Sequence, residues 1–183
     1  DQALDLLWDI ADLILTYDRE IVTPQDDSVW QYTETGQRII LRRSRGMAPD
    51  YYPHYLGETS VSILAMGADM KSAFGIHHHN KIFISQYLGD QEDYLSQQSF
   101  AETKNHLLKL INCKPGIVLT DAHPAYHTSA EGKNTALQSQ LDLYSFQHHK
   151  AHFAAVLAEN NLLKPANSVL GFVWDGTGYG DDG

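Results

Sequence analysis

The chain predicts a mixed α/β fold, and three observations predict it. Residues 61–85 carry three short apolar runs joined by tight links, the pattern of an antiparallel meander. Residues 91–111 and 130–140 have the length and spacing of helices. Short apolar runs at 116–121 and 142–147 follow these helices, so the element order reads βββαβα followed by a strand.

Each element has its own signal. Residues 2–15 place Leu4, Leu7, Trp8, Ala11, Leu13 and Leu15 close to helical spacing. Pro24 and the Asp26-Asp-Ser28 cluster read as a loop entering a short strand at Val29 and Trp30. Gly36 marks a turn, and residues 38–42 read as the partner strand. Pro49, Pro53 and Gly57 fall within 48–59 and place a domain boundary there. The domains are then 1–49, a linker over 50–59, and 60–183. In the second, residues 61–66 are a buried strand and 67–74 a tight turn into the next strand. His77-His-His-Asn80 is the tip leading to a third strand at 81–85. The helix over 91–111 stops near Cys113 and Pro115. A last helix spans 148–161, and 168–174 reads as a further apolar strand.

Composition narrows the function. The chain has 183 residues, 43% of them hydrophobic, enough for one domain or one and a part with a packed core. Its 23 acidic and 13 basic residues leave a net charge of −10, which argues against general nucleic-acid or anionic-membrane binding. The single cysteine, Cys113, excludes an internal disulfide framework and favours a reducing, cytoplasmic compartment. No apolar run approaches the ~20 residues of a membrane span, and the first residues lack a signal-peptide pattern. Both ends read as cuts in a longer protein.

Two motifs carry chemistry. His148 and His152 sit four apart at the start of a helix, so both imidazoles share one face and can point at one ion. The metalloprotease signature has Glu second in this spacing. Here His149 stands there, so no such general base exists. Asp175 ends the apolar run, and Gly176, Gly178 and Gly180 follow at alternate positions, where backbone N–H groups can cradle phosphates. The spacing is not that of a dinucleotide-binding loop, and a plain hairpin turn is the competing reading. If residues 142–147 and 168–174 are adjacent parallel strands, His148, His152 and Asp175 converge at one carboxyl edge of the sheet. Two imidazoles and a carboxylate make an open three-ligand metal site, suited to zinc or iron.

Several stretches together carry a resemblance. They are Asp18-Arg-Glu-Ile-Val22, Asp26-Asp-Ser-Val29, Leu41-Arg-Arg-Ser-Arg-Gly-Met-Ala-Pro49, Leu64-Ala-Met-Gly-Ala-Asp-Met-Lys71, Ser85-Gln-Tyr-Leu-Gly-Asp90, Asp121-Ala-His-Pro-Ala-Tyr126, Gln147-His-His-Lys-Ala-His152 and Asp175-Gly-Thr-Gly-Tyr-Gly180. In this order they resemble the HypF family of hydrogenase maturation carbamoyltransferases. Residues 1–49 resemble the end of its YrdC-like domain. Residues 60–183 resemble the first half of its TsaD-like domain, a ribonuclease H-like βββαβα half-domain of the actin/sugar-kinase ATPase clan. Asp69 stands where that family more often has Glu, and Lys150 where a third histidine is common.

The resemblance implies a mechanism. Carbamoyl phosphate and ATP yield carbamoyl adenylate, and the carbamoyl group moves to the C-terminal cysteine of a partner, HypE, as a precursor of the cyanide ligands of nickel–iron hydrogenase. His148, His152 and Asp175 would ligate a divalent metal. Gly176, Gly178 and Gly180 would sit by nucleotide phosphates. Lys71 would face the phosphates from the first hairpin, and Lys71 and Asp175 would be catalytic. Ser28, Arg42, Arg43 and Arg45 would lie near the adenylate site of the first domain. The clan also implies that the helix at 148–161 leads into a second lobe, so that Asp175 faces the histidines across a cleft. Read alone, the chain would be inactive, because much of both domains is missing from it.

Other readings compete. An O-carbamoyltransferase acting on a small-molecule hydroxyl resembles the same half, but has no YrdC-like end before it. A non-catalytic docking module is the third reading. His77, His78 and His79 read as a solvated hairpin tip, Cys113 as a small buried filler, and Asp121-Ala-His123 before Pro124 as a structural turn. Without the resemblance, the arginine run and Lys71 read as plain surface.

Overall fold

Six strands and three helices build one layered unit around a sheet of order β3-β6-β5-β4-β7-β8. The computed structural model describes residues 2–52, 59–163, 168–176 and 179–180. The sheet strands are β3 (Tyr51–Tyr52), β4 (Ile63–Ala65), β5 (Gly75–His78), β6 (Lys81–Ile84), β7 (Ile117–Asp121) and β8 (Asp142–Phe146). Strands β4, β5 and β6 form the antiparallel meander, and β7 and β8 add in parallel beyond β4. With α2 (Tyr94–Leu110) and α3 (His127–Ser139) between them, the order is the βββαβα of a ribonuclease H-like half-domain. The helix α4 (His148–Glu159) follows β8 directly.

Ahead of the sheet, β1 (Val29–Tyr32) and β2 (Arg38–Arg42) form a separate antiparallel pair. The helix expected over 2–15 is only α1 (Gln2–Leu7). Trp8, Ile10, Leu13 and Leu15 are all at least 74% exposed. Without a buried face, a stretch this short has nothing to hold it helical. Tyr51 and Tyr52, inside the stretch read as a linker, pair with Phe83 and Ile82 as the edge strand β3.

Alternation along the strands sorts the two faces of the sheet. Leu64, Met66, Ile76 and Val118 are fully buried beneath α2 and α3. The helix α2 presents Phe100, Thr103, Lys104 and Leu107, a spacing that puts all four on one face. Phe100 meets Phe74 edge-on at 5.5 Å, and Cys113 fills the same core, where burial pushes its thiol pKa up. The helix α3 lies close to the sheet because residue 132 is glycine. A Cβ there would stand 2.5 Å from Thr120 Cγ2 and 2.8 Å from Met66 Cγ. Lys104, 3% exposed, is held by Glu131 Oε1 at 2.5 Å and Thr135 Oγ1 at 3.1 Å, which ties α2 to α3.

The first turn of α3 takes its cap from a distant residue. Asp69, on the turn after β4, accepts from the His127 and Thr128 N–H groups at 2.7 and 2.9 Å and from the Thr128 hydroxyl at 2.9 Å. That turn needs Gly67, whose φ is +73 and whose Cβ would fall 2.1 Å from the Ala73 carbonyl oxygen.

Two sequence expectations change. The hairpin tip is His79 and Asn80, both with positive φ, while His77 and His78 belong to β5. His77 is 8% exposed with Nδ1 on Thr59 Oγ1, and His78 Nδ1 meets Ser62 Oγ at 2.7 Å. The strand read at 168–174 does not form. No described segment forms a ladder with it, and Leu170, Phe172 and Trp174 are more than 80% exposed. Instead the segment lies on α4, so closely that a Cβ at Gly171 would be 2.1 Å from the Phe153 ring.

A Gly132→Val change overpacks the α3–sheet contact, and we expect a loss of about 1–3 kcal/mol, read as a lower urea midpoint at unchanged slope. Glu131→Ala strands the Lys104 charge in the interior and is expected to lose about 3–5 kcal/mol. A Lys104→Met, Glu131→Leu double variant should recover most of that in the same urea experiment. Equal loss in the single and double variants would contradict the reading.

Candidate metal centre

The parallel strands β4, β7 and β8 all end at one edge of the sheet, and the segments leaving them build the site. The ladder pairs Asp121, the last residue of β7, with Phe146, the last of β8. One residue later Gln147 caps α4, its side-chain oxygen accepting from the Lys150 N–H at 2.9 Å. His148 therefore enters the first helical turn beside Asp121, and His152 follows one turn on, on the same face.

Asp175 completes a triangle with the two histidines. His148 Nε2 lies 3.2 Å from His152 Nε2 and 3.0 Å from Asp175 Oδ2, and His152 Nε2 lies 3.6 Å from the same Asp175 oxygen. Donors held about 2.0–2.1 Å from an ion stand about 3.4 Å apart in tetrahedral geometry and about 3.0 Å apart in octahedral geometry. The triangle spans that range, so the donor set fits one cation, zinc or iron alike. Three lone pairs facing one another at these distances repel unless a cation or extra protons stand between them. Asp175 arrives on the strandless segment that lies over α4, not along the sheet.

The helix α4 stands off the sheet face opposite α2 and α3, leaving an open cleft of about 610 Å³. Ala65, Gly67 and Leu119 form its sheet side, and Ala151, Ala154 and Ala158 its helix side, with His148, His152 and Asp121 at one end. Beyond the triangle, His123 stacks on Tyr126 at 4.0 Å and meets Tyr179 edge-on at 5.4 Å. Gln147 Nε2 donates to the Tyr179 carbonyl at 2.9 Å, which ties the glycine loop back to the cap of α4.

A family model described as the HypF Kae1-like domain matches residues 58–159. The chain belongs to the HypF family. Carbamoyltransferase HypF of Synechocystis sp. is 42% identical over 99% of the chain, and that of Rhizobium leguminosarum bv. viciae is 37% identical over all of it. The chain spans 23% of the length of each of these curated relatives. Among solved structures, full-length HypF in a phosphate- and nucleotide-bound form superposes with a TM-score of 0.84 at 36% identity, over 99% of this chain and 27% of that one. HypF of T. kodakarensis gives a TM-score of 0.76 at 35% identity, over 86% of this chain and 20% of that one.

The other residues singled out by the HypF resemblance lie in different places. Lys71 is exposed with φ +49, its backbone N–H donates to Asp90 Oδ1 at 2.7 Å, and it is not among the cleft residues. Gly176 follows Asp175 with open space where a side chain would stand, Gly180 is half-buried, and Gly178 lies outside the described residues. In the segment before the sheet, the Ser28 hydroxyl donates to the Arg45 carbonyl and accepts from the Ser44 N–H, both at 2.9 Å. Arg42 binds the Asp27 carbonyl and Asp26 Oδ2, at 2.8 and 2.7 Å. Arg43 donates to the Met47 carbonyl at 2.7 Å, and Arg45 to that of Gln25 at 2.9 Å. These four residues knit their own loop together, and the structure does not bring them to the triangle.

Sequence reasoning missed the contact between Asp121 and His148, whose Nδ1 lies 2.5 Å from Asp121 Oδ2. The signal was available, because a parallel ladder between 116–121 and 142–147 sets the ends of both runs side by side.

Tyr126 is half-buried near three carboxylates. Burial first, then the charges of Asp121, Asp69 and Asp175, raise its phenol above the ordinary tyrosine value, because each disfavours the phenolate. Alkaline titration of ring-labelled tyrosines by NMR should show Tyr126 ionising above the ordinary tyrosine value. Asp175→Asn should lower its midpoint while leaving it raised. A Tyr126 midpoint at or below the ordinary tyrosine value would contradict this.

Proposed function

We propose that this chain contributes to a carbamoyltransferase that makes carbamoyl adenylate from carbamoyl phosphate and ATP and hands the carbamoyl group to the C-terminal cysteine of HypE. Membership of the HypF family supports the reaction class, and the phosphate- and nucleotide-bound relative supports ATP and carbamoyl phosphate as substrates. The observation that carries the reading is the triangle of His148, His152 and Asp175 at the carboxyl edge of a parallel sheet, where open α/β sheets bind ligands. The match extends through residues before the sheet as well, which favours a HypF chain over an O-carbamoyltransferase that lacks them.

In this reading His148, His152 and Asp175 hold a divalent zinc or iron ion. That ion supplies positive charge that polarises a carbonyl or phosphoryl oxygen. The protein's own groups do the positioning. The two Nε2 atoms and one Asp175 oxygen would hold the ion at the end of the cleft that His148 and His152 line. Gly176, Gly178 and Gly180 would let backbone N–H groups approach phosphate oxygens without a side chain intervening. Lys71 would offset phosphate charge from the first hairpin. Ser28, Arg42, Arg43 and Arg45 would belong to the adenylate-forming part, and the boundary between that part and the Kae1-like half would fall at 50–59. Among the described residues no helix is long and apolar enough to cross a membrane, and a reducing cytoplasmic setting suits both the thiol acceptor and the lone buried Cys113.

The test is metal binding and transfer in the full-length protein. His148→Ala, His152→Ala and Asp175→Ala should each weaken Zn²⁺ or Fe²⁺ binding by more than the about 100-fold that outer-shell losses reach. Each should also abolish carbamoylation of the HypE cysteine, followed by mass spectrometry. Wild-type metal content in all three variants would overturn the proposal.

A further inference from the structure

We propose that Asp121 is a positioning residue that fixes the ring tautomer of His148 and so makes Nε2 its metal-facing atom; this rests on the metal reading above. The Asp121 carboxylate is a hydrogen-bond acceptor only, and its Oδ2 lies 2.5 Å from His148 Nδ1. The ring proton of a neutral imidazole therefore sits on Nδ1. The lone pair is left on Nε2, the atom 3.0 Å from Asp175 and 3.2 Å from His152.

The carboxylate is itself held. Its other oxygen, Oδ1, accepts the His123 N–H at 2.7 Å, so the group cannot turn away from the histidine. The side chain is 6% exposed and stands at the end of β7, where its backbone is locked in the ladder opposite Phe146. His148 is 15% exposed, while His152 is 57% exposed. One ligand is thus pre-aimed from beneath by the sheet and the other is presented from the open side. An outer carboxylate on a ligating histidine sets its orientation and raises its basicity, and losing such a partner weakens metal binding about 10–100-fold.

The bland alternative is an ion pair that merely fastens α4 to β7. Asp121→Asn separates the two roles. The amide oxygen can still accept the His123 N–H, while its NH₂ group faces Nδ1 and forces the proton to Nε2. In the full-length protein, chelator competition with Co²⁺ should show affinity falling about 10–100-fold, with a changed visible spectrum for the bound ion. His148→Ala is measured beside it. If His148→Ala binds Co²⁺ as wild type does, the metal reading itself fails. If His148→Ala loses the ion while Asp121→Asn keeps wild-type affinity and spectrum, the role of Asp121 is overturned. A second measurement needs no Asp121 variant. ¹⁵N NMR of the metal-free wild type at pH 8 should show a proton on His148 Nδ1, whether or not Nε2 also carries one facing Asp175, and an unprotonated Nδ1 would overturn the proposal.

Discussion

Parallel pairing of β7 with β8 brings two chain exits side by side, and the rest of the site hangs on that alignment. Asp121 faces Phe146 across the ladder, so the residues that follow each strand emerge at one edge within reach of each other. β4 runs parallel to β7 and adds the turn that carries Gly67 and Asp69 to the same edge. A one-residue slip in the β7–β8 register would turn Asp121 to the other face of the sheet and away from His148. The register is held by buried Val118 and Thr120 on the helical side, and Thr120 Oγ1 also bonds Ser145 Oγ at 2.9 Å.

Packing on one face serves chemistry on the other. Gly132 lets α3 sit tightly on β7, and Asp69 caps the start of α3 from the turn after β4. The same short stretch of chain therefore closes the first turn of the helix and borders the cleft. Lys104 and Glu131 couple α2 to α3 beneath the sheet. The opposite face stays open, and α4 crosses it with small alanines turned toward the gap. That division leaves room for a ligand beside the metal-binding triangle without disturbing the core.

Much of this was legible in the residues. Alternation and glycine or proline punctuation located the meander, α2, β7, α3 and β8, because each of these buries or pairs locally patterned residues, whereas α4 buries none. The run at 168–174 has the same apolar look, but among the described residues no strand pairs with it, and a strand requires a ladder as well as a pattern. Residues 8–15 show helical spacing without a surface to bury against. His77 and His78 looked like a solvated tip, yet Thr59 and Ser62 bind them within the sheet. The spacing of His148 and His152 is visible because it lies within one helix. Their approach to Asp121, 27 residues away from His148, depends on strand register, and their approach to Asp175 on how an irregular segment drapes over Phe153.

Where α4 is fastened has a mechanical consequence. Its first residue is secured to the sheet through Asp121, its capping Gln147 is tied to the Tyr179 carbonyl, and no residue along its length is buried. His152 lies about 6 Å further along the axis than His148. Any tilt of this rod about its base leaves His148 nearly stationary and displaces His152 together with Phe153, on which the segment carrying Asp175 is draped. The two imidazoles are therefore unequal partners: one is the fulcrum, and the other travels with the lever.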